Sequence, residues 1–109
     1  MTKPPIIIAP RVEAEIEDIY LWWAKNRSVE QAGRWQLGIE KAMLAISSNP
    51  RRHALAPEST DFPIEVRQML FGLGRRPSHR VLFTIRPDSI FVFELRHVAQ
   101  AAITLDDLP

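Results

Sequence analysis

Two apolar runs in the last third of the chain, Arg80-Val81-Leu82-Phe83-Thr84-Ile85 and Ile90-Phe91-Val92-Phe93-Glu94-Leu95-Arg96-His97, flank a turn at Pro87-Asp88-Ser89. β-branched and aromatic runs bounded by turn formers read as a β-hairpin. A two-stranded hairpin has little stability alone in water, so its apolar surface must be covered by other elements. Arginine and histidine at the strand ends present positive charge from a rigid platform, which suits phosphate or carboxylate.

The first half of the chain supplies the cover. Ile6 to Ala9 reads as a short strand ended by Pro10. Val12, Ile16, Ile19, Tyr20 and Trp23 then recur at helical spacing. Glu13, Glu15, Glu17 and Asp18 occupy the early turns, where the helix dipole favours negative charge. After a break at Lys25-Asn26-Arg27, Ser28-Val29-Glu30-Gln31 has the Ser-x-x-Gln form of a capping box. The second helix carries Val29, Ala32, Ile39, Met43 and Ile46 at three-four spacing, with Trp35, Ala42 and Leu44 widening the stripe, until Asn49-Pro50 stops it. So short a connection implies an antiparallel helical hairpin whose apolar stripes face each other and the sheet.

Arg51 to Pro63 has no periodicity and reads as a loop. Val66 to Phe71 reads as a strand, and Gly72 to Ser78 as a basic, turn-rich loop. Beyond His97, Val98 to Pro109 is weakly patterned, a short helix or a mobile tail. The expected fold is α+β in the order β-α-α-β-β-β, with the helical hairpin packed on one face of a small, mostly antiparallel sheet. At 109 residues, 46% of them apolar and 25% charged, a single domain spanning 1–109 is expected.

The chain has no cysteine, which excludes disulfides, thiolate metal sites and a cysteine nucleophile. Ile6 to Ala9 is too short an apolar run for a signal-peptide core or membrane span, so a cytoplasmic location with no membrane contact is the default. The net charge of +1 hides an asymmetry. Met1 to Pro50 holds six Lys/Arg against six acids, whereas Arg51 to Gln100 holds eight arginines against five acids and no lysine. Arginine binds phosphate and carboxylate through a planar fork of donors. This excess fits a recognition surface or simple compositional bias about equally.

A four-residue turn at Arg86 to Ser89 would pair Ile85 with Ile90 and set Arg80 opposite Leu95, with His97 as its diagonal neighbour on the same face. An arginine to stabilise phosphate charge and an imidazole to move a proton are the minimum equipment for metal-free RNA cleavage by the 2′-hydroxyl. Arg67, at the start of the preceding strand, could join them. In the structural alternative, these residues only cap strand ends with their stems over core edges. His53 and His79 lie in or beside loops, and no two histidines have helical metal-ligand spacing, so neither metal nor cofactor is expected. Trp22, Trp23 and Trp35 read as core or helix-hairpin packing. Gly72-Leu73-Gly74 is followed by no helix and is not a phosphate loop.

The chain resembles the RelE/ParE superfamily of toxins from bacterial type II toxin–antitoxin systems. The resemblance rests on the strand ended by Pro10, the helix containing Glu17-Asp18-Ile19-Tyr20, and the second helix closing on Asn49-Pro50. It continues through Val66-Arg67, His79-Arg80-Val81-Leu82-Phe83 and Val92-Phe93-Glu94-Leu95-Arg96-His97. It implies a growth-inhibiting toxin held in a hetero-oligomer by a cognate antitoxin whose tail wraps its surface. RelE-like members cut messenger RNA on the ribosome without metal, whereas ParE-like members share the fold, lack that catalytic set and poison DNA gyrase. Arg80 matches the arginine before the third strand's apolar run, and His97 falls where some RNA-cleaving members carry a catalytic residue. RelE-like enzymes often place a tyrosine near the C-terminus and a lysine-rich patch for ribosomal RNA. Here the only tyrosine is Tyr20, and no lysine follows Lys41. The expectation leans to a ParE-like gyrase poison. The alternatives are a ribosome-dependent RNase using Arg67, Arg80 and His97, and an inactive module that only binds antitoxin.

Overall fold

The computed structural model describes residues 3–109. Strand β1 (Ile6–Ile8) leads into α1 (Pro10–Asn26) and α2 (Val29–Ala45), followed by short 3-10 turns, then β2 (Arg67–Phe71), β3 (His79–Ile85) and β4 (Ile90–His97). The element order is the one expected from the sequence. Pro10 sits in the first turn of α1, where its missing N–H costs nothing. Ser28 caps α2 by accepting from the Gln31 amide at 3.1 Å. The α-helix stops at Ala45, and the segment up to Asn49-Pro50 continues as 3-10 turns.

The sheet order is β1-β4-β3-β2. Its two long junctions are antiparallel, while β1 runs parallel to β4, with Ile6 beside Ile90 and Ile8 beside Val92. The helical hairpin covers one face. There Val12, Ile16, Trp35, Ile39 and Met43 pack on Met69, Val81, Phe83, Ile90, Val92 and Leu95. On the other face, Leu82 and Phe93 are covered by Ala56, Val66 and Ile103 from irregular segments and the tail. Val98 to Pro109 is therefore a strap laid over the outer face, with a 3-10 turn at Leu105–Asp107. Three helix positions read as packing residues face water instead: Trp22 is 53% exposed, and Val29 and Leu44 are each 61% exposed.

One irregularity decides what reaches the site. Ile85 pairs with Ile90 as expected, but the register shifts between Leu82 and Phe83, so Leu82 faces Glu94 while Phe83 faces Val92. Phe93 is the extra residue of a β-bulge. Beyond it, every pairing moves by one, and a one-residue slip turns each side chain to the opposite face. Arg80 therefore lies opposite Arg96, and His97 opposite His79. The expected sharing of one face by Arg80 and His97 is corrected by this bulge: the two residues stand on opposite faces.

Candidate functional site

Arg80 is held on the outer face by a full set of partners. Its two terminal nitrogens donate to the Glu58 carboxylate at 3.0 and 2.7 Å, and its Nε donates to Gln68 Oε1 at 3.0 Å. Both charged side chains are largely sequestered, at 13% exposure for Arg80 and 11% for Glu58. The Arg80 hydrogen bonds hold the Glu58 carboxyl down at about 2, against the opposing effect of burial. Glu58 Oε2 also accepts the amide of Ile103 at 3.1 Å. This ion pair thus fastens the irregular segment before β2 and the tail strap to the sheet.

Arg67 stands at the other end. It lies opposite Phe83, four β3 residues from the His79–His97 pair, or ~13 Å along the strand. Its guanidinium donates to Glu65 at 3.0 Å and to the carbonyls of His53 and Arg51 at 2.6 and 3.1 Å. Arg67, Arg80 and His97 are therefore distributed over two faces and two ends of the sheet.

The bulge assembles a different group. His79 and His97 meet edge to face with ring centroids 5.3 Å apart, and His79 also meets Trp35 edge to face at 5.3 Å. Ser78 Oγ lies 2.8 Å from His79 Nδ1. Only 7% of His79 is exposed. Burial, seconded by repulsion from His97, pushes its pKa down to about 4, so the ring is neutral near pH 7. His97 is exposed, and its Nδ1 accepts the Ala99 amide at 3.0 Å. That hydrogen bond assigns the proton of the neutral ring to Nε2, which makes Nε2 a donor. Ser78, His79 and His97 form one wall of a cleft of about 360 Å³ whose other wall is Ile19, Trp22 and Trp23 of α1 with Arg27 just beyond its end. Trp22 and Trp23 meet edge to face at 5.7 Å.

Of the expected residues, only His97 enters this cleft. Sequence reasoning passed over His79 and Trp22, and counting back from the turn without a bulge puts Ser78 opposite His97. The signal was present in β4: strict alternation from Ile90 and Val92 would bury Glu94 under the helices and expose Leu95, which a bulge avoids. Among the described residues, no group of three or more His, Cys, Asp or Glu could hold a metal ion. No helix among them is long and apolar enough to cross a membrane.

A family model described as the ParE toxin of type II toxin–antitoxin systems, parDE, matches residues 6–102. The chain belongs to this ParE toxin family. It is accordingly the toxin component of a type II toxin–antitoxin system, with a cognate antitoxin as its partner. A solved chain of the chromosomal ParDE system from P. aeruginosa shares the fold, with a TM-score of 0.70 and 16% identity over 88% of this chain and 97% of that one. No curated protein matches the chain. Within the ParE fold described above, Arg80 clamps Glu58 on the outer face, and the aromatic-lined cleft lies under the end of α1.

Proposed function

We propose that this ParE toxin inhibits growth as a binding poison of DNA gyrase and performs no RNA cleavage. The observation that carries this reading is the engagement of Arg80: every guanidinium nitrogen has a partner within the fold, and His97 lies on the opposite face. Phosphate stabilisation and proton transfer must converge on the same reacting group to cleave RNA. In this reading the cognate antitoxin occupies the groove between α1 and α2, about 450 Å³, where Ile16, Tyr20, Leu21 and Met43 are flanked by Glu13, Glu17 and Glu40. An amphipathic antitoxin helix with basic flanks suits that groove.

The ribosome-dependent RNase reading draws on one observation, the exposed His97 imidazole sharing a cleft with Arg27. Induction of the toxin without antitoxin, with parallel pulse-labelling of DNA and protein synthesis, separates the two. The expected outcome is early arrest of DNA synthesis in both wild type and His97→Ala, together with inhibition of gyrase supercoiling by both purified proteins. Early arrest of translation with a folded but harmless His97→Ala would establish the RNase instead. Absence of any arrest would leave an inactive antitoxin-binding module.

A further inference from the structure

The two hollows beside α1 are lined by different chemistry. On the flank toward α2 the groove is rimmed by Glu13, Glu17 and Glu40. The cleft on the other flank has no acid in its lining and offers two aromatic rings, Arg27 and two imidazoles. Arg27 is exposed and makes no ion pair among the described residues. Lys25 lies two residues before it, and Arg75 and Arg76 lie just before the lining residue Ser78. The walls are already fixed: His79 rests on Trp35 and Ser78, and His97 is held by the Ala99 amide.

From these features we infer that the cleft between the end of α1 and the His79–His97 pair is a docking site for a protein segment with one aromatic anchor flanked by carboxylates. The anchor ring enters between Trp22 and the imidazoles, in a space of about 360 Å³. An adjacent carboxylate meets the Arg27 guanidinium and the His97 Nε2–H, donors that have no acid of their own to satisfy them. Tryptophan and arginine at a concave site are the residue types that dominate protein–protein binding energy. A single-stranded nucleic acid fits less well. Base stacking on tryptophan is available, but a polynucleotide also needs a positive track for its backbone. Asp18 and Glu15 sit one and two turns before Trp22 on the same helical flank and interrupt such a track.

The inference rests on the binding-poison reading only in making the occupant a segment of the toxin's target. The binding assay stands without it. Heteronuclear NMR of the full chain would follow the Trp22 and Trp23 indole resonances on titration with a capped pentapeptide, Ac-DEFDE-NH2. The same titration would use its neutral counterpart Ac-NQFNQ-NH2 and an eight-nucleotide oligothymidylate. The expected result is a saturable shift of both indoles with the acidic peptide. Affinity should fall about tenfold with the neutral peptide and in Arg27→Ala, a change equivalent to about 1.4 kcal/mol. Trp22→Ala, at an exposed position, should keep the thermal midpoint and lose the Trp23 response. No saturable shift, binding indifferent to Arg27→Ala, or a response to oligothymidylate in place of the peptide would each overturn the proposal. Pulse-labelling results would leave this outcome unchanged, so the two readings fail separately.

Discussion

At the scale of single residues, Arg80 and Glu58 show why a charged pair can be indispensable without being a large source of stability. Desolvating both charges costs nearly what their attraction returns, yet removing one partner strands the other in a site with little water. Glu58→Gln should therefore destabilise the fold by ~3 kcal/mol in urea titrations. The double variant Glu58→Leu with Arg80→Met should recover much of that loss, and failure to recover would mean that the Gln68 and Ile103 hydrogen bonds carry the clamp. Two sequestered groups, His79 and Glu58, shape the acid response. His79 titrates at about 4 when folded against 6.5 when unfolded, so the unfolded chain takes up its proton first. Its contribution is complete above pH 6.5 and lost as pH falls toward 4. Glu58, held at about 2 against 4.5, loses its contribution over the next range, from 4.5 down to about 2. Stability measured against pH should thus fall in two stages. His79→Asn should flatten only the upper one, and Glu58→Gln only the lower one.

At the scale of elements, the Gly72–Ser78 loop delivers β3 to the cleft, and its two glycines are not equivalent. A Cβ on Gly72 would come within 2.6 Å of the Arg76 carbonyl oxygen, whereas one on Gly74 would meet nothing within 4 Å. Gly72→Ala should cost about 1–3 kcal/mol by forcing backbone apart. Gly74→Ala, where φ is negative, should be neutral or add up to about 1 kcal/mol by restricting the unfolded chain. Thermal melts of the pair test this directly, and equal effects would mean that the loop opens freely. The helices, strands and hairpin were legible because each has a period and each terminus has a chemical marker, Pro10, Ser28 and Asn49-Pro50 among them. The site was less legible, because a single inserted residue, Phe93, exchanges Ser78 for His79 as the neighbour of His97. Alternation in β4 carries that information, but a register counted from the turn assumes continuous pairing. The Glu58 partner of Arg80 lies in an aperiodic segment, 22 residues away in sequence, and no local pattern encodes such a contact.

At the scale of the whole molecule, the two faces of the sheet are covered by unequal means. Two 17-residue helices close one, while the other depends on irregular chain and on the strap after β4. Ile103 seals the outer cluster against Leu82 and Phe93. Around it the strap is tied by polar contacts: Arg11 Nε donates to the Phe93 carbonyl at 2.7 Å and Arg11 also reaches the Asp107 carbonyl, while Arg96 lies 3.2 Å from the Asp107 carboxylate. Ile103→Ala should cost ~2–4 kcal/mol as a buried large-to-small change. Asp107→Asn, at a more accessible ion pair, should cost less than about 1 kcal/mol. Ending the chain at Ala102 removes the anchor and its ties together and should destabilise more than Ile103→Ala alone, with new binding of a hydrophobic dye to the uncovered Leu82 and Phe93. If the strap instead acts directly on the toxin's target, the truncated chain would lose growth inhibition with its urea midpoint unchanged. A fall in midpoint shared with Ile103→Ala would place the effect in the fold, and antitoxin binding, which stabilises the native state by mass action, should then raise the midpoint of the truncated chain.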